Sequence, residues 1–265
     1  MSTIQAIVLA IVEGLTEFLP ISSTGHMVMV SSLMGIGKED FTKFFEIAVQ
    51  LGAILAVVVL YWRKFINFKS WQFYVKLLVG VIPALAFGFL LSDKIDALLM
   101  DPLYTALALL GGGVILLFID NIFYKVAIKE EKDITFKNAF IIGLCQCAAL
   151  IPGVSRAAAS IIGGLQQKLS RKLAAEFSFF LAVPTMAAAT GFKLFETMKK
   201  NPEVLHNASN MKVLIIGNVV AFVIAFLTMR FFVDFLKKHG FRFFGWYRII
   251  IALIFLLMIK MNQIR

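Results

Sequence analysis

Apolar runs of the length that crosses a lipid bilayer recur along this chain. A transmembrane helix needs about 20 apolar residues, and the strand-like alternation typical of a membrane β-barrel is absent. The chain of 265 residues is 60% hydrophobic and 16% charged, whereas soluble domains have about 25% charged residues. We therefore predict an all-α polytopic membrane protein with about six spanning helices in one domain, 1–265. The predicted spans are 44–62, 73–92, 103–119, 173–194, 211–235 and 247–261.

Two further apolar segments are each interrupted by a proline and a serine-bearing turn. Residues 2–35 are broken at 20–25, and residues 138–165 are broken at 152–156. The second half of each segment is too short to cross a bilayer, which is typical of a re-entrant hairpin. Aligning Pro20 with Pro152 places Ser23 on Ser155. We predict two hairpins in two internal repeats, about 2–119 and 136–261.

The distribution of Lys and Arg predicts the orientation of these segments. The connections 63–76, 120–137, 166–172 and 230–248 hold sixteen of the 26 basic residues, so the positive-inside rule makes them cytoplasmic. The acidic loop 93–101 fits the opposite side, whereas 193–212, with four Lys, does not. Three spans separate the hairpins, which predicts an inverted-topology repeat whose broken helices meet near the midplane. No nucleic-acid motif accompanies the net charge of +10, so we expect membrane lipid and no nucleic acid as a partner.

The first hairpin carries two carboxylates in an otherwise apolar setting. Glu13 and Glu17 are four residues apart and share one face of a helix. Buried charges are costly unless they are paired or coordinate an ion. Two neighbouring carboxylates are tolerated if one is protonated or if a cation lies between them. Glu46, near the start of the next span, either lines the same cavity or lies at the membrane surface.

The turns of both hairpins carry groups suited to phosphate. Ser22, Ser23, Thr24 and Gly25 follow Pro20 and predict a cap for the next helix, whose N-terminus attracts anions; His26 adds a titratable ring. In the second turn Gly153 permits a tight bend, Ser155 precedes a helix start, and Arg156 is a planar fork for phosphate oxygens. The alternative is a structural salt bridge from Arg156 to Glu13 or Glu17, and both interpretations are compatible. The combination indicates phosphoryl chemistry on a lipid-linked phosphate.

Both motifs resemble the signatures of one enzyme family. The stretch Glu13-Gly-Leu-Thr-Glu17-Phe-Leu-Pro-Ile-Ser-Ser-Thr-Gly-His26 resembles the E-x3-E signature and following turn of the bacterial undecaprenyl-diphosphatases, the bacitracin-resistance family. Pro152-Gly-Val-Ser-Arg156 resembles that family's second signature, P-G-x-S-R-S-x-x-[TS]. Ser160 matches the last position of that signature, whereas Ala157 stands where the family usually has Ser. The resemblance covers essentially the whole chain.

The resemblance implies an enzyme that hydrolyses undecaprenyl diphosphate to the monophosphate. Such an enzyme recycles the lipid carrier of peptidoglycan precursors in the bacterial cytoplasmic membrane, confers bacitracin resistance, uses Mg²⁺ or Ca²⁺, and opens its active site to the outer face. By matching position, the cation ligands are Glu13 and Glu17. The implied catalytic residues are Glu13, Glu17, Ser23, His26 and Arg156. The implied substrate-binding residues are Ser22, Thr24, Gly153, Ser155, Arg156 and Ser160.

Two questions stay open at the level of sequence. The group that attacks phosphorus is Ser23, His26 or water, and His26 is the favoured base or nucleophile. An inverted repeat with broken helices is also the plan of transporters, so a polyprenyl-phosphate flippase is the alternative function. Glu13, Glu17 and His26 favour the enzyme, because transport needs no metal-held nucleophile. Glycine-bearing spans also permit a homodimer.

Overall fold

The structure is a computed structural model that describes residues 1–67, 70–91, 102–261, 263 and 264, without the side chain of residue 206. The predicted loop 93–101 and the end of the predicted span 73–92 lie outside these residues. In chain order the helices are α1 (Thr3–Thr16), α2 (Ser23–Leu33), α3 (Asp40–Ala48), α4 (Gln50–Leu60), α5 (Trp62–Phe65), α6 (Trp71–Leu90), α7 (Pro102–Ile122), α8 (Phe136–Gln146), α9 (Arg156–Gln166), α10 (Arg171–Lys200), α11 (Glu203–His206), α12 (Ala208–His239) and α13 (Arg242–Lys260).

The all-α membrane fold is confirmed. Within the described residues, six helical segments are long and apolar enough to cross a membrane, and they coincide with the six predicted spans. Their ends differ from prediction because charged residues continue several helices. The predicted span 173–194, for example, lies within α10, which is capped by Ser170 and runs on to Lys200. Lys, Arg and Glu lower mean hydropathy but are good helix formers.

The predicted breaks in the two apolar segments are present. In the first hairpin α1 ends at Thr16, and α2 starts after Ser22, whose hydroxyl accepts the Gly25 N–H at 3.3 Å. In the second, α8 passes through a short 3₁₀ turn, Cys147–Leu150, before Ser155 caps α9. The caps are therefore Ser22 and Ser155, one residue away from the alignment that paired Ser23 with Ser155. By helix position, Ser23 corresponds to Arg156, because each is the first residue of its helix.

Helix packing is reciprocal between the two halves of the chain. Helix α1 packs on α12, and α8, its counterpart in the second half, packs on α6. Both contacts are close enough to require glycine: a Cβ at Gly14 would lie 2.9 Å from the Ala221 carbonyl oxygen, and one at Gly143 would overlap the carbonyl of Gly80. An inverted repeat would produce this reciprocity. The repeat boundaries, the inverted topology and the re-entrant course of the two hairpins stay predictions.

The first hairpin turn and the helix that follows the second turn share one apolar core. Phe18 and Ile21 of the first turn share a buried cluster with Ala157 and Ile161 of α9. The Phe18 ring packs edge-on against Phe179 of α10, with centroids 5.4 Å apart. Polar side chains on the two turns are therefore held by packed helices.

Two basic residues counted as charges of cytoplasmic connections are buried in helices instead. Lys76 lies in α6, and its Nζ donates to the carbonyl of Lys132 at 3.3 Å. Arg248 lies in α13 and is 1% exposed. Neither supports the orientation, which stays a prediction based on the other basic residues. Arg248 is the second residue of the predicted last span, 247–261, so its charge was counted with the connection that overlaps the start of this span.

Candidate active site

The carboxylate of Glu17 is the point at which the two hairpins meet. Glu17 follows the last residue of α1 and is 5% exposed. Its Oε2 accepts a hydrogen bond from Ser23 Oγ at 2.5 Å, and its Oε1 accepts one from Arg156 Nη2 at 2.8 Å. The first residues of α2 and α9 thus converge on one carboxylate. Of the two salt bridges that the sequence allowed for Arg156, with Glu13 or with Glu17, the one with Glu17 is formed.

Arg156 is held from several sides, but one of its donors has no partner. Nη1 donates to the Ser178 carbonyl at 3.0 Å, and the guanidinium carbon lies 5.7 Å from the Phe18 ring centroid. The buried Nε has no hydrogen-bond partner among the described residues. A guanidinium carries five N–H donors, and an orphaned buried donor is costly. Nε–H therefore suits a ligand oxygen.

Ser160 lies behind Arg156. It is fully buried, and its Oγ donates to the Arg156 carbonyl at 2.8 Å. The Ser160 Oγ also lies 2.6 Å from the Ser178 hydroxyl, which in turn lies 3.4 Å from Arg156 Nη1. These contacts close a small loop that positions Arg156. Ser178 is one hydroxyl in a long apolar helix, so no sequence pattern singled it out.

Glu13 is buried one helical turn before Glu17. Its side chain is 0% exposed, and neither carboxylate oxygen has a hydrogen-bond partner among the described residues. The charges of Glu17, Arg156 and Glu46 all act on it. Glu46 likewise has a buried, unpartnered Oε1, so this oxygen faces the interior of the protein and not the membrane surface.

These orphaned oxygens decide which residue suits a cation. Hard cations such as Mg²⁺ and Ca²⁺ take oxygen ligands, and Glu13 has two oxygens with no other partner. Both oxygens of Glu17 already accept hydrogen bonds. Within the described part of the chain, no three acidic, His or Cys side chains group to hold a metal. A cation beside Glu13 would therefore take its remaining oxygens from substrate or water.

Both ring nitrogens of His26 are engaged by groups other than Ser23. Its Nδ1 lies 2.7 Å from the Ser22 carbonyl oxygen, and its Nε2 lies 2.9 Å from the hydroxyl of Tyr247. The sequence did not single out Tyr247, which is 221 positions from His26. The one sequence feature that could have pointed to Tyr247 is its position at the start of the last predicted span.

Arg248, the next residue of α13, joins the two hairpin turns. Its guanidinium donates to the carbonyls of Pro20 and Gly153, one in each turn, at 3.2 and 3.1 Å. It also donates to the carbonyls of Ala108 and Leu109 in α7, at 3.1 and 3.2 Å. No sequence pattern indicated this role: Arg248 lies in the predicted span 247–261 and was also counted among the charges of the connection 230–248.

The remaining predicted binding residues mostly shape the turns. Ser22, at φ 69°, and Gly153, at φ 89°, adopt left-handed backbone. Ser155 Oγ accepts the Ala158 N–H at 3.1 Å and donates to the Leu19 carbonyl at 3.4 Å, which ties the second turn to the first. Thr24 is half-buried in the first turn of α2. The helix N-termini that start at Ser23 and Arg156 remain the parts of these turns best suited to an anion.

The fold and the site define a class: a polytopic helical membrane protein with a buried hydroxyl, carboxylate and guanidinium where two helices begin. Residues 6–254 match the sequence model of the family described as Bacitracin resistance protein BacA. The chain belongs to this BacA family. A protein of Flavobacterium johnsoniae named undecaprenyl-diphosphatase is 57% identical over 258 residues, covering 97% of this chain and 96% of the relative.

More distant relatives carry the same name. An undecaprenyl-diphosphatase of Bdellovibrio bacteriovorus is 46% identical, covering 98% of this chain and 97% of its own length. One from Aquifex aeolicus is 43% identical, covering 95% of this chain and 96% of its own.

Proposed function

We propose that this protein hydrolyses undecaprenyl diphosphate to undecaprenyl phosphate and inorganic phosphate. Family membership and the shared name of its relatives support this activity. The observation that carries it is the buried carboxylate of Glu17 between Ser23 and Arg156. The reaction recycles the lipid carrier of peptidoglycan synthesis, which accounts for bacitracin resistance.

Ser23 is the nucleophile that the geometry favours. A carboxylate only accepts hydrogen bonds, so the Ser23 proton points at Glu17 Oε2, 2.5 Å away. As Oγ attacks the terminal phosphorus, Glu17 takes this proton. The bond from phosphorus to the bridging oxygen breaks, and its electron pair leaves with undecaprenyl phosphate. A phosphoserine remains.

Arg156 binds the charge that develops in this step. Its Nε–H is free for a phosphate oxygen, and the helix starts at Ser23 and Arg156 add backbone N–H groups. Fixed donors in a buried site stabilise a developing negative charge more than donors in solution do. Ser178 and Ser160 keep the guanidinium in place.

His26 serves the second half of the reaction. Its Nδ1 is engaged by the Ser22 carbonyl, so Nε2 is the nitrogen able to accept a proton. Water attacks the phosphoserine and gives its proton to Nε2, while the Ser23 oxygen leaves with the proton held by Glu17. This assigns His26 the role of base, one of the two roles that the sequence favoured for it.

A divalent cation, Mg²⁺ or Ca²⁺, would be held by Glu13, with Glu17 as its neighbour, and would supply neutralising charge to the diphosphate. Glu13 supports this assignment because its two buried oxygens lack other partners.

The proposed setting is the bacterial cytoplasmic membrane, with the site open to the outer side. The remaining basic connections, which the positive-inside rule places in the cytoplasm, support this orientation. The lipid tail of the substrate would stay in the bilayer. A homodimer through glycine-bearing helices stays a prediction.

The function is tested by phosphate release from undecaprenyl diphosphate with detergent-purified protein, with and without divalent cation. We expect Glu17→Gln to lower release by about 100-fold or more, because a positioned acid–base group typically contributes about 10²–10⁴-fold. Glu130→Gln is the matched control, since Glu130 forms only an exposed ion pair with Lys132. Full activity in Glu17→Gln, or no release by folded wild-type protein, would contradict the proposal; the second result would favour a flippase.

A further inference from the structure

The hydrogen bonds of His26 define which of its nitrogens carries a proton. Nδ1 lies 2.7 Å from the Ser22 carbonyl oxygen. A carbonyl oxygen only accepts, so Nδ1 carries the hydrogen and Nε2 of the neutral ring is an acceptor. The group facing Nε2 is the Tyr247 hydroxyl at 2.9 Å. In the resting site Tyr247 therefore donates to His26.

The two rings also pack against each other. Their planes are inclined by 8° and their centroids lie 5.6 Å apart. The imidazole is 5% exposed, so it has little room to rotate. His26 is thus fixed by a carbonyl on one nitrogen, a hydroxyl on the other, and an aromatic ring alongside.

Helix α13 is itself anchored to the turn that carries Ser23. Arg248, which follows Tyr247, donates to the Pro20 carbonyl of that turn. Among the residues that the structure describes, the charged or titratable groups that act on His26 are these two residues of α13, Tyr247 by its hydrogen bond and Arg248 by its charge. The helix that carries Tyr247 is therefore tied to the turn that precedes His26.

We propose that Tyr247 is a positioning residue that holds His26 with Nε2 as the proton-accepting nitrogen. The inference rests on the proposed diphosphatase function and assigns a residue to its second step. A tyrosine hydroxyl both donates and accepts. It donates to Nε2 of the neutral imidazole, and it accepts from Nε2–H once the ring has taken a proton from water. The Tyr247 O–H bond rotates to release the Nε2 lone pair to the attacking water, and the same oxygen then accepts from Nε2–H, so one hydroxyl serves both charge states of His26.

Tyr247→Phe tests this role because it keeps the ring and removes only the hydroxyl. The buried imidazolium then loses its acceptor, and hydrogen bonds to charged groups are worth more than those to neutral ones. The protonated form of His26 is destabilised more than the neutral base. The acid limb of the pH profile of kcat for undecaprenyl diphosphate, which includes hydrolysis of the phosphoserine, should move to lower pH by roughly 1 unit.

Tyr124→Phe is the matched control, since Tyr124 is exposed and should leave the acid limb in place. If Tyr247→Phe lowers the melting temperature but leaves the acid limb in place, Tyr247 acts only in packing, and the proposal is overturned.

Nitrogen-15 NMR of histidine-labelled wild-type protein tests the same contact without any dependence on how the variant folds. The chain has three histidines, and substitution of His206 and His239 assigns the signal of His26. We expect a neutral ring with the proton on Nδ1; a proton on Nε2 would overturn the proposal. If wild-type protein releases no phosphate, the diphosphatase function fails, and the spectrum still decides whether Nε2 is the proton-accepting nitrogen of His26.

Discussion

At the scale of single residues, Arg248 is the side chain on which the arrangement of the site most depends. It is 1% exposed and binds carbonyls in both hairpin turns and in α7. A buried charge is tolerated only when its donors are satisfied. Four carbonyls satisfy it without a carboxylate, so it keeps its positive charge next to the proposed phosphate site. Gly112 makes room for it, because a Cβ there would overlap the guanidinium.

We expect Arg248→Lys to lower kcat/KM by about 10- to 100-fold, because an ammonium cannot reach carbonyls that a planar fork binds together. The same variant should melt at a lower temperature. Phosphate release and thermal unfolding measure the two effects. Arg242→Lys, at the exposed start of the same helix, is the control and should behave like wild type. Equal activity of both variants would show that the fork of Arg248 is not needed.

At the scale of elements, the two turns bring the starts of α2 and α9 together. Each turn uses a left-handed residue: Ser22 at φ 69° in the first and Gly153 at φ 89° in the second. Left-handed backbone costs a residue with a Cβ roughly 1–2 kcal/mol. Ser22 is the residue that adopts this strained conformation. Its carbonyl binds His26, and its hydroxyl caps α2. Strain of this kind concentrates at functional sites.

Gly153→Ala should damage the second turn for two reasons. Its φ of 89° disfavours alanine, and the added Cβ would overlap the Thr105 carbonyl oxygen. We expect more than tenfold loss of phosphate release and a lower melting temperature, at a cost of about 2 kcal/mol or more. Gly111→Ala is the control, because a Cβ there meets nothing within 4 Å. Wild-type activity in Gly153→Ala would contradict the importance of this turn.

At the scale of the whole molecule, local patterns predicted the elements, and distant contacts built the site. Apolar runs and Pro-containing breaks are local signals, so the spans and both interruptions were predictable from sequence. Glu17, Ser23 and Arg156 were predictable as candidates because they are polar groups in apolar segments. Tyr247 and Arg248 were not, since their partners His26 and Pro20 lie 221 and 228 positions away.

The reciprocal packing of α1 on α12 and α8 on α6 explains why such distant residues meet. Each half of the chain packs its broken hairpin against a span of the other half. One turn supplies Ser23 and the other supplies Arg156, so neither half contains the site alone. Helix α13 then supplies Tyr247 and Arg248 to the junction.

The most direct test of this account is to trap the phosphoryl group during turnover. Protein mixed with undecaprenyl diphosphate labelled in its terminal phosphate is quenched in acid, and the labelled peptide is identified by mass spectrometry. We predict acid-stable label on Ser23, none in Ser23→Ala, and unchanged label in Ser209→Ala, a serine outside the site. Acid-labile label on His26, or hydrolysis that persists in Ser23→Ala, would contradict the central claim that Ser23 attacks phosphorus.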